Sequence, residues 1–276
     1  MNAKLIALHG ATGAQGAPVA ARLAAAGHTV RAVTRAAGAD LLDRASLVAA
    51  YAGADAVVAQ LPLVYDERAL AMGENVARAA EQAGVRHLVV NASSPLPPEP
   101  IGVPFLDARL RVAAAAVPLV TVLAPTAKYL DNLTAPWSAE RVARDGVIAY
   151  PMPAQAPDLW VAMDDVAAAI ATAIERAVPG RFALPGAALT GDQVAEAVAD
   201  GLGRPVRWEA MAPRDWAELV RPHLGDHAAD GTAAVYEMSL PPAPAPDPDP
   251  ARDALGWAAP DVAAWARSAR WPVPVA

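Results

Sequence analysis

Three glycines spaced three apart, Gly10, Gly13 and Gly16, follow directly on the apolar run Leu5 to Leu8 and lead into an apolar-faced helical pattern, Val19, Leu23 and Ala26. Glycine is what such a junction needs. Gly10 permits a tight strand-to-helix turn, Gly13 lets backbone come close to a bound group, and Gly16 lets the helix lie against the strand. A helix opening there presents free N–H groups and the positive end of its dipole, which together hold phosphate. The chemistry predicted is binding of a dinucleotide pyrophosphate by Gly10, Thr12, Gly13, Ala14, Gln15 and Gly16.

The residues after the second strand choose between dinucleotides. An acid there accepts hydrogen bonds from the ribose 2′-hydroxyl of NAD, whereas an arginine pairs with the 2′-phosphate of NADP. Thr34 and Arg35 stand at that point with no acid beside them, and Arg31 within the strand is a second cation. This local chemistry favours NADP(H) as cofactor.

The elements that must position these residues are legible as alternating signals. Strands are predicted at 5–9, 29–33, 56–60, 87–92 and 119–123, and helices at 14–26, 46–51, 66–83 and 106–116. That alternation predicts an α/β fold, a Rossmann-like doubly wound parallel sheet with a small C-terminal α/β substrate lobe. Later segments predict a helix at 164–177, a strand at 181–184, a helix at 190–202, a strand at 206–209 and a last helix at 260–269. Residues 1–150 are expected to be mainly the dinucleotide-binding domain. Residues 151–276 are expected to be mainly the substrate lobe, with one strand returning to the main sheet and a Pro-rich connector at 241–250.

Composition narrows the function classes. A length of 276 residues and a net charge of −7 disfavour a nucleic-acid partner, because most of the surface would repel a phosphate backbone. Cysteine is absent, which removes thiol nucleophiles and thiolate metal sites. His223 and His227 have i, i+4 spacing but lie among Gly, Pro and Asp residues that disfavour a regular helix, so no metal site is expected. The longest uncharged stretch, 112–127, is shorter than the roughly 20 residues of a spanning helix and contains Pro118 and Pro125. With no basic segment and apolar leader ahead of the first strand, the expectation is a cytoplasmic protein with no membrane partner.

The motifs HGATGAQG, VRAVTR, GVRHLVV and LAPTAKYLDNL closely resemble the NmrA-like proteins, atypical relatives of the short-chain dehydrogenase/reductases. The resemblance extends over nearly the whole chain. It implies a Rossmann domain binding NADP(H) and a C-terminal lobe closing a cleft at the strand ends. It also implies that Asp40 lies in a turn near the adenine, and that Gln60, Leu61, Pro62 and Ser93 end strands beside the cofactor, the side chains of Gln60 to Pro62 being incidental. Ser94, Tyr129, Asn132, Trp160, His223 and Tyr236 are placed on the substrate side, the segment 221–236 forming a lid of surface loop.

Two departures from the family pattern stand out. In the family a helix and a third strand separate the arginine after strand two from the Asp-containing turn; here the intervening helix is missing, so Asp40 follows Arg35 almost at once. Also, no Tyr-x-x-x-Lys pair exists: Ala124 stands four places before Lys128. In the family's reductases a lysine on the helix after the strand at 87–92 takes over, and Arg109 occupies that place. Arginine keeps the charge and can hold a ribose hydroxyl, but its pKa above about 12 makes it a poor proton donor. Tyr129, with Lys128 beside it, is the preferred donor.

The leading functional reading is an NADPH-dependent reductase of a small apolar or aromatic carbonyl, quinone or imine. A second is a non-catalytic NADP(H) sensor acting through a protein partner, and a third is a redox-neutral biosynthetic enzyme on the same fold. A homodimer is compatible with each.

Overall fold

The computed structural model describes residues 3–125, 128–238 and 245–272. In chain order its first elements are β1 (Leu5–His9), α1 (Gly16–Ala25), β2 (Thr29–Val33), α2 (Arg44–Tyr51), β3 (Ala56–Gln60), α3 (Arg68–Gln82), β4 (His87–Asn91), α4 (Pro104–Ala113) and β5 (Leu119–Pro125). There follow β6 (Lys128–Tyr129), α5 (Ala139–Asp145), β7 (Val147–Tyr150), β8 (Pro157–Val161), α6 (Met163–Arg176), β9 (Gly180–Leu184), β10 (Ala187–Thr190), α7 (Gly191–Leu202) and β11 (Arg207–Ala210). The last helices are α8 (Pro213–Leu224), α9 (Asp226–Glu237), α10 (Asp249–Leu255) and α11 (Val262–Ser268).

Two compact units interleave along the chain. The first comprises residues 1–126, 163–184 and 246–258, and the second 127–162, 185–245 and 259–276. The sequence expectation is a first domain mainly at 1–150, with one strand of the later segment returning to the main sheet. The chain divides earlier because β6 and β7 pair with β8 and β11 of the second unit, and it returns because β9 completes the first unit's sheet. The start of the connector, 241–244, lies outside the described residues, and its end opens α10.

In the first unit six parallel strands run in the order β2-β1-β3-β4-β5-β9. Strands covered on both faces carry near-continuous apolar runs, and β4 is buried at every position. One face packs Leu47, Tyr51, Val76, Ala80 and Ala108 of α2, α3 and α4 onto Ala7, Val57 and Leu88 of the strands. β1 is flanked by β2 and β3, so the strand order reverses at its C-terminal end, where such sheets bind ligands. β2 is one edge strand, and a 3-10 turn, Arg35–Ala37, and one short helix, α2, join it to β3.

The second unit contains a three-stranded sheet, β10-β8-β6, and a parallel pair, β11-β7. Its core gathers Tyr150, Trp160, Trp208, Val194 and Val198. The segment 221–236 is not a surface loop. It lies in α8 and α9, which meet at Gly225, because Trp216, Ala217, Val220, Ala229 and Ala233 form one apolar seam between them. Pro222 falls in the last turn of α8, where it forfeits the hydrogen bond to the Glu218 carbonyl, and the helix ends two residues later. Among the described residues no helix is long and apolar enough to cross a membrane.

Candidate functional site

β1 delivers the chain into the glycine turn with Gly10 at φ 60°, a conformation that needs glycine. The Gly13 N–H donates to the Gly10 carbonyl at 2.8 Å and the Ala17 N–H to the Gly13 carbonyl at 2.9 Å, tightening the turn onto the start of α1. No side chain caps that helix. The three glycines are not equivalent. A Cβ on Gly16 would lie 2.0 Å from the Gly10 oxygen, whereas one on Gly13 would lie 3.3 Å from it. Gly16 thus lets α1 press on the turn's own backbone, not on the strand as the sequence reading had it.

A cavity of about 640 Å³ opens beside this turn, within the first unit. His9, Gly10, Gly13, Gln15 and Gly16 form one wall, and Val33, Thr34 and Arg35 follow from the end of β2. Ala39, Asp40, Leu41 and Leu42 come from the next turn, Gln60, Leu61, Pro62 and Val64 from the end of β3, and Arg68 and Met72 from α3. Ten residues expected at a cofactor from sequence therefore share this lining: Gly10, Gly13, Gln15, Gly16, Thr34, Arg35, Asp40, Gln60, Leu61 and Pro62. Thr12, Ala14, Ser93 and Arg109 are not part of it. His9, Leu41, Leu42, Arg68 and Met72 escaped the sequence reading; Leu41 and Leu42, an apolar pair in an otherwise polar turn, were its readable signal.

The strand ends behind the cavity are braced by side chains. Gln60 donates from Nε2 to the His9 carbonyl at 3.1 Å and accepts from Asn91 Nδ2 at 2.9 Å. The Ser93 N–H donates to Asn91 Oδ1 at 3.2 Å, and Ser93 Oγ donates to Gln15 Oε1 at 2.8 Å. The Gln60 side chain, expected to be incidental, ties β1 to β4. His9 Nε2 sits 2.5 Å from the Tyr51 hydroxyl. Burial pulls the His9 imidazole down to about 4, against a smaller opposing pull from the Gln60 backbone, so it is neutral at physiological pH.

The cations divide by what they already hold. Arg31 donates to the Ala50 and Ala52 carbonyls at 3.0 and 2.7 Å, fastening the end of α2, which removes it as a phosphate candidate. Arg35 is exposed at the cavity rim, and Arg68 forks onto Asp66 at 2.8 Å. The Asp40 carboxylate accepts the Leu42 N–H at 2.9 Å and shapes the intervening turn. Arg109 is only 1 % exposed. Its Nε donates to the Ala92 carbonyl at 2.7 Å, Nη1 to Phe105 at 2.6 Å, and Nη2 to Leu61 at 2.9 Å and Pro62 at 3.5 Å. The sequence reading placed Arg109 in contact with cofactor and reacting atoms. Its fork instead faces backbone carbonyls, because the ends of β3 and β4 converge on it.

In the second unit the substrate-side residues gather around one the sequence did not single out, Tyr150. Asn132 Nδ2 and the Tyr236 hydroxyl donate to the Tyr150 hydroxyl at 3.1 and 3.0 Å. Burial raises the Tyr150 pKa above the usual phenol value, while Tyr236, Lys128 and Asn132 pull the other way. Lys128 Nζ pairs with Asp158 at 2.9 Å and lies 5.1 Å from the centre of the Tyr236 ring. Tyr129, in β6, is half-buried. Trp160, expected to line a pocket, is wholly buried in this core with its ring 5.4 Å from that of Tyr150, leaving it no surface for a ligand. His223 is exposed at the end of α8, 5.7 Å from the Trp137 ring, and the Ser94 hydroxyl, in the first unit, donates to the Ala92 carbonyl at 3.4 Å.

The profile of the NmrA-like family matches residues 2–238. Comparison with curated proteins finds no match. Among solved structures, NmrA, a negative transcriptional regulator in complex with NAD, superposes with a TM-score of 0.65 at 22% identity, covering 97% of this chain and 95% of that one. An NADPH-dependent quinone oxidoreductase from Escherichia coli gives 0.64 at 23% identity, covering 95% and 98%. The triphenylmethane reductase of a Citrobacter species, complexed with NADP(H), gives 0.66 at 21% identity, covering 95% and 99%. At these identities the likeness is one of fold.

Proposed function

The chain belongs to the NmrA-like family, and from that premise we propose that it binds NADP(H) in the cavity beside the glycine turn and uses it to reduce a small apolar or aromatic carbonyl, quinone or imine. One observation carries the reading: the cavity of about 640 Å³ is walled by the N-terminal turn of α1 on one side and by Thr34 and Arg35 on another. Helix N–H groups suit the pyrophosphate, and an exposed arginine after β2 suits a 2′-phosphate. Leu41, Leu42, Val64 and Met72 offer apolar surface to the adenine. When bound, the cofactor supplies the hydride; the chain's part is to hold it and exclude water. Gly10, Gly13 and Gly16 admit the phosphates, and Gln60 and Ser93 brace the strand ends behind them. The proton donor expected from sequence is Tyr129, with Lys128 beside it.

The relatives of known fold support both a reductase and a regulator, since one is a negative transcriptional regulator and two are reductases by description. A sensor acting through a protein partner is the second reading. It is favoured by Arg109 and Lys128, the cations nearest in type to the family's catalytic lysine, which hold carbonyls and Asp158 respectively.

Calorimetric titration with NADPH and with NADH, repeated on Arg35→Ala, tests the cofactor site. Wild type is expected to bind NADPH more tightly than NADH, and the variant to lose about tenfold for NADPH alone. Equal affinities in both proteins would remove Arg35 from the site. NADPH oxidation over a panel of carbonyls, quinones and imines then separates the readings: a rate above buffer for any member supports the reductase, and none, together with dinucleotide-dependent capture of a protein, supports the sensor.

A further inference from the structure

We propose that Arg109 is a positioning residue for the dinucleotide, acting through the backbone of Leu61 and Pro62 and not through contact with cofactor or substrate. The proposal rests on the cofactor reading above and adds the device that shapes one wall of the cavity.

Leu61, Pro62 and Val64 line that wall in a segment without regular structure. Pro62 has no N–H, so the segment cannot extend the ladder of β3 at that point. Its carbonyls at 61 and 62 are instead taken by one nitrogen of Arg109, Nη2, at 2.9 and 3.5 Å. The other end of the guanidinium reaches the Ala92 carbonyl, beyond the end of β4, at 2.7 Å. A single planar fork therefore sets the spacing between the ends of two neighbouring strands. The plane is itself fixed, since Arg109 Cζ lies 3.5 Å from the centre of the Phe105 ring and Nη1 donates to the Phe105 carbonyl. Phe105 stacks in turn on Tyr65 at 5.2 Å and 19°, so the same unit grips the wall segment again three residues further on.

Geometry, not charge, distinguishes this role. A guanidinium presents five donors in a rigid fork, whereas an ammonium is a compact point charge on a flexible stem. One lysine cannot span the Leu61, Ala92 and Phe105 carbonyls together. A role resting on positive charge alone is met by lysine as well as by arginine.

The test compares wild type, Arg109→Lys and Arg109→Gln by NADPH calorimetry at a temperature where circular dichroism shows each protein fully folded. Amide spectra of labelled protein are recorded in parallel. Wild-type binding establishes the cofactor site; its absence overturns the cofactor reading itself. Given that binding, Arg109→Lys is expected to weaken NADPH by about tenfold or more and to shift the Leu61 and Val64 amides, while the amides around Tyr150 stay in place. NADPH affinity in folded Arg109→Lys within twofold of wild type overturns the proposal, since charge would then suffice. Unmoved Leu61 and Val64 amides overturn it as well. Should Arg109→Gln fail to fold, the lysine variant alone decides.

Discussion

The cavity beside the glycine turn and the cluster around Tyr150 are built from similar parts, polar side chains braced on apolar strands, yet they end in opposite states. At the turn the bracing is done from behind, by Gln60, Asn91, Ser93 and Arg109, and the front keeps an open volume of about 640 Å³. Around Tyr150 the polar groups face inward onto one hydroxyl, and Trp160, Trp208 and Trp216 close over the ring at 5.4 to 6.1 Å. The difference teaches that a converging set of polar residues is not by itself a binding site. What separates the two is whether the convergence leaves room, and here room comes from glycine and from backbone that cannot pair in a ladder.

The contrast is open to direct attack. Gly16→Ala drives a Cβ to 2.0 Å from the Gly10 oxygen, so the turn must shift; loss of NADPH affinity beyond about a hundredfold is expected, with about 1–3 kcal/mol of stability lost. Gly13→Ala, at 3.3 Å, should lose far less affinity, and calorimetry on both would sharpen the ranking or dissolve it.

Acid is the next lever. Burial holds His9 down to about 4 in the folded chain, against 6.5 for the free side chain. The unfolded state takes up its proton first on acidification, so this contribution is whole above pH 6.5 and is lost as pH falls toward 4. Between pH 7 and pH 5, His9→Phe is expected to lose about 2 kcal/mol less stability than wild type in urea unfolding. Some acid sensitivity persists in the variant, because burial and the charge of Lys4 lower His87 to about 4 as well. Identical acid profiles for the two proteins would mean that the imidazole beside Tyr51 is hydrated.

The smallest effect belongs to the closed cluster. Tyr150→Phe removes the acceptor shared by Asn132 and Tyr236 and should cost about 1–2 kcal/mol in urea unfolding, with NADPH affinity unchanged within twofold. A larger change in affinity than in stability would make the Tyr150 cluster part of a ligand site after all.

Much of the frame is readable from local pattern. The bounds of β1, β2 and β3 coincide with the runs at 5–9, 29–33 and 56–60: β1 and β3 lie inside the sheet and are nearly all apolar, while β2, at the edge, is still marked by its β-branched residues although it carries Arg31. The glycine turn is equally local, since a positive φ and a forbidden Cβ are properties of a few consecutive residues. The segment 221–236 misled, because Gly225, Pro222 and the nearby aspartates suggest a loop, while the apolar spacing that joins α8 to α9 decides otherwise.

The type of site, a glycine turn opening a helix between parallel strands, is thus written in the order of residues 5 to 35. Which arginine serves it is not. Arg31, Arg35 and Arg109 are alike as letters, but two are claimed by carbonyls, Ala50 and Ala52 for one and Leu61, Pro62, Ala92 and Phe105 for the other. Most of those acceptors come from other elements of the fold. A guanidinium takes whatever acceptors the folded backbone brings within reach, so only the packing of α2 onto β2 and of α4 onto the ends of β3 and β4 leaves Arg35 as the one of the three that faces the cavity.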